Sequence, residues 1–114
     1  MEKIRVAIPT NDEQTFAERT GRAKGFLIYE IENGQGRKID FRINPHKHHD
    51  HDEHEHDDHS HAEVMEVLND CEYIIVNKVG KHFVKDLKKA QIKIFKTKET
   101  DIEKAVVKFL KQEY

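Results

Sequence analysis

Between His46 and His61 the chain carries no apolar residue. Such a segment cannot join a hydrophobic core, because nothing in it offsets the entropy lost on ordering its backbone. The folded body must therefore come from residues 1–45 and 62–114, where the 36% hydrophobic content is concentrated. The mean hydropathy of −0.87 is pulled down by this one stretch. Charge divides the same way. Six Asp/Glu and one Lys give the stretch −5, while the other residues carry 19 basic and 16 acidic side chains, or +3. A mildly basic body thus carries an acidic, imidazole-rich insert.

At 114 residues the chain suits a single domain with a true core. No dense Lys/Arg patch with interleaved aromatics marks a nucleic-acid surface, so none is expected as a partner. No apolar run approaches the roughly 18 residues a membrane span requires, and no signal-peptide pattern opens the chain. A soluble, cytoplasmic protein without a membrane partner is the expectation. The single cysteine, Cys71, precludes an internal disulfide and a multi-thiolate zinc site.

Residues 3–10 (KIRVAIPT) read as a strand ended by Pro9. Residues 25–32 (GFLIYEIE) and 37–43 (RKIDFRI) read as two more, joined by NGQG at 33–36 as a hairpin. Ile39, Phe41 and Ile43 alternate with charged neighbours, as on a strand with one apolar face. Ser60 and Glu63 form a capping box that opens a helix through about Asn69. Residues 73–76 (YIIV) are unbrokenly apolar, as in a strand covered on both faces. A helix follows over 81–90, with Phe83, Leu87 and Ala90 on one side, then a short strand over 92–95. Thr100 and Glu103 cap a last helix with Ile102, Ala105, Val106, Phe109 and Leu110 at helical spacing. The order β-β-β-α-β-α-β-α predicts an α/β sandwich of three layers around a mixed five-stranded sheet.

Four stretches carry a family resemblance: IRVAIPTND (4–12), GRAKGFLIYEIENG (21–34), LNDCEYIIVNKVG (68–80) and QIKIFKTKETDIEKAVVKFLKQE (91–113). In order and spacing the chain resembles the nitrogenase iron–molybdenum cofactor accessory family, the NifX-like and NifB C-terminal domains and their small stand-alone relatives. The resemblance implies a ribonuclease H-like sheet with strand order 3-2-1-4-5, only the second strand antiparallel. It also implies an iron–sulfur or iron–molybdenum cluster as cargo and a client metalloprotein as partner. Small relatives often carry a His-rich segment at this point. Two departures stand out. Arg19 occupies the position of a family histidine in the stretch Ala17–Arg22, and Asn77-Lys78 replaces a Gly-Gly pair before Gly80.

Residues 46–61 contain four His-x-His pairs. They are His46 with His48, His49 with His51, His54 with His56, and His59 with His61, the last three on a five-residue repeat. On an extended backbone residues two apart point the same way, so both imidazoles of a pair can reach one ion. Imidazole suits Zn²⁺, Ni²⁺, Co²⁺ and Cu²⁺, and the interleaved carboxylates can complete coordination or orient the rings. The competing reading is a solvated, flexible loop over 44–61 whose composition merely prevents folding. The internal position and acidic interleaving argue against a purification tag. Exchangeable, multi-site binding is expected, with release on acidification as protons take the imidazoles.

A second candidate site lies where ligands bind in open α/β sheets, beyond the carboxyl ends of the parallel strands. With the family strand order those ends bring together Thr10, Asn11, Arg19, Gly21, Arg22, Lys78, Gly80, Lys81 and His82. Gly80 would permit a tight turn, the next helix offers its N-terminus, and the Lys/Arg residues favour an anionic cluster or oxyanion. The competing reading makes these charges ordinary solvated ones. The histidine loop should start and finish at this rim, and Cys71 should sit at the opposite end as a partly buried structural thiol. The leading functional reading is a non-catalytic metal or metallocofactor carrier. The alternative is a protein-interaction module regulated by metal or pH through the loop. A metal-dependent nuclease is the weakest, because strand one has no Asp and strand four ends in Asn77.

Overall fold

The computed structural model describes residues 3–45 and 64–113. The expected metal ligands His46, His48, His49, His51, His54, His56, His59 and His61 therefore lie outside the described residues, as does the capping box of Ser60 and Glu63. Strand β1 (Ile4–Thr10) is buried along nearly its whole length, as befits the centre of a sheet. It runs through Pro9 instead of ending there. Pairing with the parallel neighbour is registered at Val6 and Ala7, so the missing Pro9 N–H removes no bond from that ladder.

Strands β2 (Gly25–Glu32) and β3 (Gln35–Ile43) form a hairpin whose turn is Asn33-Gly34, with φ of 56° and 75°. Two successive positive φ values make a type I′ turn, which matches the natural strand twist. Gln35 and Gly36 therefore belong to the strand, not to the turn. Register shifts between Ile28 and Tyr29, so Ile28 opposes Asp40, Tyr29 opposes Lys38, and Ile39 becomes the extra residue of a bulge. That bulge and the edge position modify the expected apolar face of β3. Ile39 remains 37% and Ile43 55% exposed.

Residues 64–67 form a helical turn, α1. Then follow β4 (Tyr73–Val76), α2 (Lys81–Lys89), β5 (Lys93–Lys96) and α3 (Ile102–Glu113). The sheet order is β3-β2-β1-β4-β5. β2 is antiparallel to both its neighbours, while β4 and β5 continue parallel to β1. The expected topology is the observed one.

Two apolar layers result. On one face Val6, Ile8, Leu27, Ile31 and Ile75 pack under α3 through Ile102, Ala105, Val106 and Phe109. On the other Ala7, Phe26, Ile28, Ile74 and Val76 pack under Val64, Leu68, Phe83 and Leu87 of the α1 and α2 segments. Strand β4 contributes to both layers, which explains its uninterrupted apolar sequence.

Two helix ends differ from expectation. The cap of α3 is Asp101, whose Oδ2 accepts the Lys104 N–H at 3.0 Å, while the Thr100 carbonyl accepts the Phe16 N–H at 3.0 Å. At the end of α2, Gln91 takes φ 64°, the Ile92 N–H bonds to the Leu87 carbonyl at 2.9 Å and the Gln91 N–H to that of Lys88 at 3.0 Å. This Schellman closure leaves Ala90 exposed and sends Ile92, not Ala90, into the core.

Candidate functional site

The carboxyl ends of β1, β4 and β5 share one rim with the end of β3, because Thr10 opposes Gly25 and Gly25 opposes Ile43. The chain leaves the sheet towards the histidine stretch from this rim. Asn44, assigned to the loop by sequence, is fully buried, its Nδ2 donating to the Ala23 carbonyl and its N–H to that of Lys24, each at 2.9 Å. The described chain resumes at Val64, buried in the α1/α2 layer. The four imidazole pairs, His46 with His48 through His59 with His61, fall between these two anchors and outside the described residues.

Thr10 is buried, and its hydroxyl is occupied within its own loop. It donates to the Thr15 carbonyl at 2.5 Å and accepts the Glu13 N–H at 2.9 Å. Asp12 accepts the backbone N–H groups of Thr15 and Gln14 at 2.8 and 2.9 Å. These bonds, Thr15 first, lower its pKa to about 2 and make it a permanent, internally engaged anion. Asn11 Oδ1 accepts the Lys24 N–H at 2.9 Å, tying the β1 loop to the start of β2. Thr10 and Asn11 therefore shape the rim through the chain they hold.

Arg19, Gly21 and Arg22 lie on or beside a 3₁₀ turn over Thr20–Arg22. Thr20, 2% exposed, donates its hydroxyl to the Lys78 carbonyl at 2.6 Å. That bond places the Arg19/Arg22 turn against the loop that carries Lys78 and leads to Lys81 and His82. Asn77 fixes the other flank, its Nδ2 donating to the Thr97 and Glu99 carbonyls at 2.7 Å each. Sequence reasoning passed over Thr20, Asn44 and the role of Asn77. A buried polar side chain that bonds a distant carbonyl leaves no local signature.

Arg19, Arg22, Lys78, Lys81 and His82 are exposed, and among the described residues none forms an ion pair. Helix α2 starts at this rim with no side-chain cap and no acidic residue in its first turn. The first turn of the helix itself thus supplies no negative charge to the positive end of its dipole. Gly80 has φ −77°, and an added Cβ would meet nothing within 4 Å, so no tight turn depends on it. The rim can hold an anion by charge and N–H donation. Its ligand chemistry is sparse: one imidazole, no thiol, and no group of three His, Cys, Asp or Glu among the described residues. That donor set suits an anionic cluster or oxyanion held by charge rather than iron ligated by thiolates.

Cys71 lies at the far end of the sheet, where the following Glu72 N–H bonds to the Arg5 carbonyl at 2.9 Å. It is buried, and burial first, then the nearby Asp70 carboxylate, pushes its thiol up to about 12. It is chemically quiet. Among the described residues no helix is long and apolar enough to cross a membrane.

Solved structures match this architecture over nearly the whole chain. The crystal structure of a candidate dinitrogenase from Methanocaldococcus jannaschii is similar at 18% identity, with a TM-score of 0.68, covering 99% of this chain and 93% of that one. The apo form of the orange protein from Desulfovibrio gigas is similar at 20% identity and a TM-score of 0.72, covering 94% and 87%. A candidate NifB protein from Thermotoga is similar at 24% identity and a TM-score of 0.60, covering 96% and 88%. At these identities the likeness establishes the fold. No curated protein matches by sequence. The family profile described as dinitrogenase iron–molybdenum cofactor matches residues 2–112, and the chain accordingly belongs to that family.

Proposed function

We propose that the protein is a non-catalytic carrier of a metal ion or metallocofactor, holding anionic cargo at the rim and divalent transition ions on the adjoining histidine stretch. The observation that supports this reading is the Thr20–Lys78 bond, which ties the turn of Arg19 and Arg22 to the loop of Lys78 that leads into helix α2. Family membership and the neighbours described as dinitrogenase, NifB and orange protein support a cofactor-handling role. The cargo is an iron–molybdenum or iron–sulfur type cluster, the partner a client metalloprotein, and the setting the cytoplasm. Arg19, Arg22, Lys78, Lys81 and the first turn of α2, with His82, hold the anion; Thr10, Asn11, Gly21 and Gly80 shape its seat. His46, His48, His49, His51, His54, His56, His59 and His61 take Zn²⁺, Ni²⁺, Co²⁺ or Cu²⁺ at pairs of imidazoles.

Elemental analysis of untagged protein and of a variant lacking 46–61 tests both halves. The deletion should fold, since Asn44 and Val64 anchor the two flanks, and should lose most divalent uptake at neutral pH. Uptake by the full chain should fall as pH drops through about 6.5, where imidazoles protonate. Anaerobic loading with cluster should give visible absorption that survives the deletion but weakens in Arg22→Glu/Lys78→Glu. Unchanged divalent uptake by the deletion variant would refute the loop's role, and cluster loading indifferent to charge reversal would refute the rim's.

A further inference from the structure

On the α3 face, between that helix and edge strand β3, runs a groove of about 740 Å³, within the range of small-molecule sites. Val106, Val107 and Leu110 of α3 give it an apolar stretch, with Glu103 of the same helix beside them. Gly36 lines it without a side chain, and a Cβ there would lie 3.2 Å from Val106 Cγ1 and 2.9 Å from Ile31 Cδ1. None of the cationic rim residues contributes to it.

Tyr29 also lines the groove. It is 8% exposed, yet among the described residues its hydroxyl has no hydrogen-bond partner. The groove is open, so this hydroxyl can bond whatever fills it, water or a ligand, and it offers both a donor and an acceptor. The surrounding charge has a sign. Lys38 is matched by Glu13 at 3.7 Å and Arg37 by Glu30 at 3.4 Å. The carboxylates of Asp101 and Glu103 also line the groove, and neither is ion-paired among the described residues. Burial first, then Glu103 and Asp101, raises the Tyr29 pKa, consistent with a negative local potential.

We infer that this groove binds a small organic cation with an apolar body, of the alkylammonium class. Its ammonium donates to the Tyr29 hydroxyl oxygen beside Glu103 and Asp101, and its hydrocarbon chain covers Val106, Val107 and Leu110. Apolar contact supplies attraction, the phenol oxygen accepts from the ammonium, and the carboxylates select for positive charge.

Hexylammonium is the probe, with hexanoate and hexanol as controls, followed through the methyl NMR signals of Val106, Val107 and Leu110 in the full chain. Hexylammonium should shift these signals saturably, and both controls should bind at least about tenfold more weakly, as expected for loss of a charge-assisted hydrogen bond. Tyr29→Phe should weaken hexylammonium by about tenfold, yet leave the melting temperature of the free protein unchanged or higher, because no protein bond is lost. Glu103→Gln should weaken it by about threefold, as for a partly exposed ion pair. Equal affinity for hexanoate, absence of saturation, or wild-type affinity in Tyr29→Phe would overturn the assignment. Destabilised free Tyr29→Phe would overturn it too, by showing that the hydroxyl has a protein partner.

Discussion

The two faces of the sheet are closed by different physics over the same edge strand. Under α3 the layer is anchored by aromatic packing. Phe109 is fully buried, and its ring meets those of Tyr73 and Phe95 edge-on, with centroids 5.0 and 5.3 Å away. That packing closes the β1–β4–β5 side and leaves a groove beside β3. On the opposite face α1 and α2 also concentrate over the centre, but the β3 side is braced by charge. Arg42 donates to both Asp70 oxygens at 2.6 and 2.9 Å and to the Val67 carbonyl at 2.8 Å, while Arg5 reaches Asp70 at 2.5 Å. A sheet edge can thus be left open for a ligand on one side and bolted by ions on the other. The brace also fixes where the chain re-enters the fold after the histidine stretch.

The comparison breaks most severely at Phe109. Phe109→Ala should cost about 3–5 kcal/mol, read from urea unfolding, because the cavity lies where three aromatic rings meet. A loss below about 1 kcal/mol would mean that this face is not organised around that ring.

The charged face should respond less, and in a pH-dependent way. Asp70→Asn should cost about 1 kcal/mol, since the brace is partly solvated. Hydrogen bonding from Arg42, then Arg5, working against partial desolvation, holds the Asp70 carboxyl well below the usual carboxylate range. The unfolded chain therefore takes up this proton at a higher pH than the folded one. The contribution is complete above the ordinary carboxylate pKa near 4 and fades as pH falls below it towards the folded value. Unfolding curves across pH 5 to 2 should accordingly converge for wild type and Asp70→Asn at the acid end. A constant gap would show that the residue acts through packing.

The smallest effect is expected where the α3 face is already open. Ile43→Thr, at a side chain more than half exposed, should change stability by less than about 0.5 kcal/mol. A larger loss would reveal that Ile43 is covered by something in solution.

Much of this arrangement was readable along the chain. Residues 25–32 and 73–76 are strands with the expected bounds, and the hydrophobic positions of α3 face the core as spaced. The order of elements and its resemblance-based topology also hold. What escaped is bonding between distant residues. Thr20 and Lys78 are 58 positions apart, Arg42 and Asp70 28. Gln91 closes a helix in the left-handed region without the glycine that would have advertised it, and the Ile39 bulge shows no mark in an otherwise alternating strand. The candidate site was legible as a set of cations but not as a geometry.

Composition and period alone decided that three helices cover a five-stranded sheet, because burial of apolar surface follows local patterning. Only folding in three dimensions decided that Thr20 ties the turn of Arg19 and Arg22 to the Lys78 loop, that Asn44 pins the exit towards the histidine stretch, and that Tyr29 keeps a hydroxyl without a partner among the described residues. Those outcomes depend on how helices settle against a twisted, bulged sheet, and such packing is fixed by the shape of the whole rather than by any one segment.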